Sequence, residues 1–185
     1  SIQNPRNKKM TDAYPIRKSP RAQWLDYNGA TYFVTICTKD MRHFFGEIYD
    51  NKMHLSPIGK YLHNELSAPT THHPHISIPL FTVMPNHIHM IVTVGIPRAV
   101  SAEDETIPPS TTDTARRVPT SHTLLGSYIA SLKSSVTRYA NQIGLPFKWQ
   151  PRYHDHVIRG IDDANNIGRY ITENVLRWQI DRFNV

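Results

Sequence analysis

Residues His75–Val94 read HISIPLFTVMPNHIHMIVTV, and the alternation in this stretch decides the fold. Two β-branched, apolar runs, His75–Met84 and His87–Val94, flank the turn dipeptide Pro85-Asn86 and predict a pair of antiparallel strands. Pro79 cannot donate to a sheet ladder, so it predicts a bulge or an edge position in the first strand. Side chains at i and i+2 of a strand share one face. His87 and His89 therefore point together, and Ile88 and Met90 face the opposite way.

Toward the N-terminus, Ala30–Thr38 (ATYFVTICT) is a strand signal preceded by the turn pair Asn28-Gly29. His43–Ile48 and Lys52–Leu55 flank Tyr49-Asp50-Asn51 and predict a small hairpin. Ser56 is an N-cap with Pro57 at the first helical position. The helix runs to about Ser67, with Ile58, Tyr61, Leu62 and Leu66 on one face and Pro69 beyond its end. Toward the C-terminus, residues 95–122 carry Pro97, Pro108, Pro109 and Pro119 among many Ser and Thr. This stretch reads as a flexible insertion within one domain. Leu124–Ile143 follows as the longest helical pattern, with Leu125, Tyr128, Ile129, Leu132, Val136 and Tyr139 at helical spacing and Gly144 closing it. Arg152–Arg159 (RYHDHVIR) predicts a strand. Asp162 or Asp163 then caps a final helix to about Asn174, its inner face formed by Ile167, Tyr170 and Ile171. With the hairpin set aside, the order is that of an α+β, ferredoxin-like βαββαβ antiparallel sheet with helices on one face. A C-terminal helix carrying Tyr170 is appended to it.

The chain has 185 residues and a formal charge of +6. That length suits one domain, read as residues 23–185 behind a basic arm at 1–22. Between Ser1 and Arg21 six basic residues face one acid, Asp12. One cysteine, Cys37, excludes an intramolecular disulfide framework and any Cys-rich zinc module, and it reads as a core residue. No apolar run reaches the roughly 18–20 residues that span a bilayer. No charged-then-apolar segment opens the chain, so a cytosolic protein is expected. The pI of about 9.5 points to a polyanionic partner, most simply nucleic acid.

Eleven histidines make imidazole the residue to explain. A strand that aims His87 and His89 at one face can hold one divalent metal, or can carry two histidines hydrogen-bonded on a half-polar face. Tyr170 and Asn174 lie four apart on one helix face and offer an oxygen pair; read singly, they are a core tyrosine and a helix-end asparagine. His154 and His156 repeat the i, i+2 spacing. His72, His73 and His75 around Pro74 read as a solvated loop cluster.

An ordered series of motifs carries a resemblance. It comprises Tyr32–Thr38 (YFVTICT), Phe45-Gly46-Glu47, Val83–Val92 (VMPNHIHMIV), Gly126–Arg138 with Lys133, Trp149–Arg159 (WQPRYHDHVIR) and Tyr170-Ile171-Thr172-Glu173-Asn174. The chain resembles the single-tyrosine HUH (IS200-like) transposases, especially the REP-associated tyrosine transposase branch, from about Trp24 to Phe183. The resemblance implies His87 and His89 as metal ligands, Tyr170 as the catalytic nucleophile and Asn174 as a third ligand. The family often has Asn-Pro at this turn; here Val175 follows Asn174, so nothing forces the helix to stop there. The implied activity is cleavage and rejoining of single-stranded DNA through a 5′-phosphotyrosine intermediate, with a divalent metal, Mg or Mn, and hairpin DNA as partner. Dimeric members exchange the tyrosine helix between subunits, so a homodimer is one implied assembly, with the site built in cis or in trans.

The chemistry agrees with that role. A divalent cation on His87 and His89 withdraws charge from a phosphate oxygen. A tyrosine hydroxyl with an ordinary pKa near 10 needs a nearby positive charge or a base. Lys133 reads as a phosphate contact or an acid–base group near Tyr170, against a solvated lysine. Arg138, Lys148, Arg152 and Arg159 read as electrostatic DNA contacts. His156 reads as a group near the phosphate, Gln150 as polar support and Trp149 as packing. Two other readings compete: a non-cleaving DNA-hairpin-binding regulatory module, and a metal-dependent nuclease that uses water and has no need of Tyr170.

Overall fold

The structure is a computed structural model and describes residues 29–69, 73–95 and 121–184. The basic arm at 1–22, His72 and residues 96–120 of the insertion lie outside the described residues. In chain order the elements are β1 (Gly29–Cys37), β2 (Gly46–Tyr49), β3 (Lys52–Leu55), α1 (Pro57–Ser67), β4 (Ile76–Val83), β5 (His87–Gly95), α2 (Ser121–Gln142), β6 (His154–Val157) and α3 (Ile161–Glu173).

The main sheet has the order β4-β5-β1-β6, with every neighbouring pair antiparallel. β1 and β4 are thus parallel with β5 between them, and β5 and β6 are parallel with β1 between them. These two interleaved crossovers are the split βαβ units of the expected ferredoxin-like sheet. β2 and β3 form the separate hairpin. Its turn residues Asp50 and Asn51 both have positive φ, 51° and 56°, as a two-residue hairpin turn requires.

Alternation divides the core in two. Tyr32, Val34 and Ile36 of β1 and Ile88, Met90, Val92 and Val94 of β5 pack beneath Ile58, Leu62 and Leu66 of α1 and Leu125, Ile129, Leu132 and Val136 of α2. On the opposite face Ile91 and Ile158 pack with Ala164 and Ile171 of α3, joined by half-buried Phe33, Leu80 and Ile167. β5 is covered from both sides and is buried from His87 to Val94.

Local signals act as their chemistry dictates. Ser56 Oγ accepts the Gly59 N–H at 3.0 Å and caps α1. The β4–β5 register shifts between Ser77 and Leu80, the bulge that Pro79 predicts. Gly144 takes φ 69° just past α2.

Four boundaries differ from the sequence expectation. The first hairpin strand starts at Gly46, because Phe45 leaves the ladder to become a fully buried core residue. Gly46 sits at φ 139°, where a Cβ would fall 2.0 Å from the His54 carbonyl oxygen. α2 begins at Ser121, inside the expected insertion, because Ser121-His122-Thr123 carries no apolar periodicity to reveal it. β6 is confined to His154–Val157, an edge strand with one neighbour, β1. α3 is capped by Gly160, and Asp162 and Asp163 fall in its first turn. Asp163 bends back and accepts the Arg159 N–H at 3.1 Å. Among the described residues no helix is long and apolar enough to cross a membrane.

The helical-face core should dominate stability. Leu62→Ala removes a fully buried side chain and is expected to cost about 2–5 kcal/mol. Leu176→Ala, at a site 65% exposed, should change stability by less than about 0.5 kcal/mol. Urea midpoints of the two variants would reveal a failure of this ranking.

Candidate active site

The α3 face of the sheet holds the chemistry. His87, His89 and Ile91 of β5 stand opposite Cys37, Thr35 and Phe33 of β1. Thr35 and Phe33 in turn pair with His154 and His156 of β6. α3 crosses this face and brings Tyr170 to His89.

Asn86 fixes the state of His87. Its amide nitrogen donates to the carbonyls of Met41 (3.1 Å) and Phe183 (2.7 Å), which orients its Oδ1 toward His87 Nδ1 at 2.8 Å. Nδ1 therefore carries the proton, and the Nε2 lone pair is free. That Nε2 is buried with no hydrogen-bond partner. His89 lies between two hydroxyls: its Nδ1 meets Thr35 Oγ1 at 2.8 Å and its Nε2 meets the Tyr170 hydroxyl at 3.2 Å. With Nδ1 donating to Thr35, Nε2 accepts from Tyr170. The two imidazole centroids lie 4.5 Å apart. Phe33 stacks on His89 and meets Tyr170 edge-on.

Asn174 lies one turn beyond Tyr170 and is 2% exposed. Neither of its amide atoms has a hydrogen-bond partner. An unmatched buried polar group costs roughly 1–3 kcal/mol. The unpartnered Nε2 of His87, the Nε2 of His89 on the neighbouring ring and the Oδ1 of Asn174, one turn past Tyr170, are nitrogen and oxygen donors of the kind a divalent cation takes. Among the described residues no group of three or more His, Cys, Asp or Glu side chains offers a metal site. Any cation here would depend on two imidazoles and an amide.

Burial keeps both imidazoles neutral. It pushes His87 down to about 3, with the Arg182 charge adding to the effect. It holds His89 well below 6.5, reinforced by His87 and Arg182. Tyr170 is pushed up, mainly by burial; Asn174 beside the hydroxyl and the Arg182 charge oppose the shift, and Asp181 adds to it. Tyr170 remains 38% exposed, so a substrate can reach it.

The C-terminal segment completes the site. Past Asn174 the backbone continues in turns through Arg177 into a short 3-10 turn at Trp178–Ile180. Phe183 lies 4.5 Å from the His87 ring and Trp178 6.2 Å. Thr35, Trp178, Arg182 and Phe183 join the site without any signal in the sequence around them. The last three stand more than 80 residues from His87 and share no local pattern with it. Only the absence of proline after Asn174 hinted that the chain carries on across the site.

The remaining candidates fall elsewhere. Lys133 does not sit beside Tyr170, since α2 covers the other sheet face. Its ammonium donates to the carbonyls of Gln150 (2.8 Å) and Arg152 (3.2 Å) and lies 5.9 Å from the Trp149 ring centroid. Gln150 uses its backbone N–H on the Cys37 carbonyl. Lys148 is exposed, and its carbonyl accepts the Lys39 N–H. Arg138 lines a cavity between α1 and α2 with Tyr61, Glu65 and Tyr128. His156 Nε2 pairs with Asp163 at 3.0 Å, next to Arg159. Cys37 is buried, as expected of a core residue.

No family model matches the chain. It is 30% identical over 171 residues to an uncharacterized protein of Haemophilus influenzae, covering 91% of this chain and 93% of that protein. A solved REP-associated tyrosine transposase bound to a REP hairpin superposes with a TM-score of 0.50 at 21% identity, over 84% of this chain and 73% of that one.

Neutral burial of His87 has a pH signature. The unfolded chain takes up this proton near pH 6.5, and the folded chain only at about 3. The folded state binds fewer protons in that window. Stability from this source is complete above about pH 6.5 and is lost as the pH falls toward 3. Denaturant unfolding from pH 7 to 4 should therefore weaken wild type more steeply than His87→Gln. The slopes should differ by up to about 1.4 kcal/mol per pH unit; equal slopes would mean that the imidazole titrates freely in the native protein.

Proposed function

The chain belongs to the same family as the Haemophilus influenzae protein and has the fold of the REP-associated tyrosine transposase, and from its site we propose that it is a metal-dependent, single-tyrosine transposase acting on single-stranded DNA. The observation that carries this reading is the Tyr170 hydroxyl, 3.2 Å from His89 Nε2 and beside the buried Asn174 amide, with the His87 ring 4.5 Å from that of His89. A hydrolase that uses water has no need of a tyrosine at that point. A basic chain, pI about 9.5, suits the phosphate backbone. The REP hairpin in the solved relative of the fold makes hairpin DNA the substrate class to test first.

His87 and His89 through Nε2, and Asn174 through Oδ1, are the groups that would hold the cation, with Mn²⁺ favoured by mixed nitrogen and oxygen donors and Mg²⁺ by abundance. A bound divalent cation supplies withdrawal of charge from a nonbridging phosphate oxygen. The protein does the rest. Asn86 holds the Nδ1 proton of His87 and so aims its Nε2 lone pair, and Thr35 braces the His89 ring through Nδ1. Phe33 fixes the His89 and Tyr170 rings relative to each other. Tyr170 keeps its proton in the resting site, because burial raises its pKa. In the reaction its oxygen bonds to phosphorus as the bond to the DNA 3′-oxygen breaks; the phenol gives up its proton and the departing 3′-oxygen gains one. The products are a 5′-phosphotyrosine and a free 3′-OH, and the ester linkage conserves the energy needed to join a new strand.

The test is a covalent adduct. Single-stranded hairpin oligonucleotides labelled at the 3′ end, incubated with protein and Mn²⁺ or Mg²⁺, should give an SDS-resistant labelled band. Tyr170→Phe should reduce it below detection, as should His87→Ala combined with His89→Ala. Cleavage with no adduct would favour the water-using nuclease. Tight hairpin binding with neither cleavage nor adduct would favour the regulatory module.

A further inference from the structure

Lys133 and Arg138 lie with α2 on the other sheet face, yet a phosphodiester attacked by an oxygen nucleophile needs positive charge beside it. Lys133 is engaged by two carbonyls, and Arg177 pairs with Glu173. Arg182 differs. Its guanidinium lies 4.7 Å from the Phe183 ring centroid, and that ring lies 4.5 Å from His87 and 5.9 Å from His89. The Phe183 carbonyl is anchored by Asn86, the residue that orients His87. Asp181, the adjacent acid, is turned back to accept the Phe183 N–H at 2.9 Å. Among the described residues Arg182 makes no ion pair with a carboxylate. An exposed, unpaired guanidinium is thus held at the edge of the histidine–tyrosine cluster by its own neighbour's ring. Its charge acts on His87, His89 and Tyr170 alike.

We infer that Arg182 is the phosphate-binding cation of this site, taking nonbridging oxygens of the phosphodiester that Tyr170 attacks. This rests on the transposase reading above. A guanidinium presents paired N–H donors that match two phosphate oxygens, and it stays protonated throughout. It moves no proton: the tyrosine–phosphorus bond forms, the phosphorus–3′-oxygen bond breaks, and Arg182 balances charge that builds on the equatorial oxygens. Arg182 is a catalytic residue in this assignment, and Phe183 and Asn86 are its positioning residues.

Two measurements test it on the full chain. The single-turnover rate of adduct formation at saturating hairpin DNA with Mn²⁺ should fall roughly 10- to 100-fold in Arg182→Gln, with Arg182→Lys between that variant and wild type. Binding of the non-specific oligonucleotide dT20 needs no cleavage; its logarithmic salt slope should shrink by about 0.7 in Arg182→Gln. Mn²⁺ affinity, read by calorimetry, should be equal or tighter in Arg182→Gln, because a positive charge has left the neighbourhood of His87. An unchanged adduct rate or an unchanged salt slope overturns the assignment. Joint loss of Mn²⁺ binding and adduct in Arg182→Gln overturns it too, since Arg182 would then only hold the Phe183 turn. Failure of wild type to form any adduct, with the salt-slope difference intact, would overturn the cleavage reading and leave Arg182 a DNA contact.

Discussion

Everything at this site depends on β5 being dry on both faces. An antiparallel sheet can leave one face in water, but here helices cover both faces at β5 and both of its alternating rows are buried. One row, Ile88, Met90, Val92 and Val94, meets α1 and α2 and needs no explanation. The other contains His87 and His89 beside Ile91 and is closed by α3. Burying an imidazole excludes its charged form. Both histidines are consequently neutral, and each needs a partner for every polar atom. Asn86 and Thr35 supply one partner each, and Tyr170 supplies another. What remains unmatched, the Nε2 of His87 and the amide of Asn174, is the place where a cation would add most.

Asn86 links this electrostatic state to the shape of the chain. One side-chain amide fixes the His87 tautomer, ties down Met41 near the end of β1 and anchors Phe183 at the C-terminal segment. The orientation of the His87 imidazole and the position of the C-terminal segment beside it are therefore one hydrogen-bonded unit. Loss of the amide would free both together. Lys133 plays a comparable part on the other sheet face, where it joins α2 to the Gln150–Arg152 backbone. A lysine that looks catalytic in sequence is a brace in the structure, because two carbonyl acceptors lie within its reach.

The legible elements were those whose signal is local. Alternation from Ala30 to Thr38 and from His75 to Val94, the Ser56-Pro57 cap and the Gly144 stop all describe interactions within a few residues. The structure has them at or within a residue or two of their expected places. Pro79 marked its bulge because a missing N–H acts on the spot. Phe45 fits a strand ladder or a core equally well by its apolar side chain alone, and tertiary space decides for the core. Asp163 looked like a cap for the same reason: a carboxylate at the start of a helix can bond outward or backward, and His156 and the Arg159 N–H drew it backward.

By itself the sequence determined the order of strands and helices and the common face of His87 and His89, because both follow from chain periodicity. It also placed Tyr170 and Asn174 on one face of α3, four residues apart. Only the tertiary structure decided that this face meets the histidines and that the imidazoles are neutral. It alone carried Arg182 and Phe183 back across the site. Those outcomes depend on burial and on contacts between residues as much as 97 positions apart, such as Asn86 with Phe183. Periodicity carries no information at that range, because it reports which way a side chain points and not what stands opposite it.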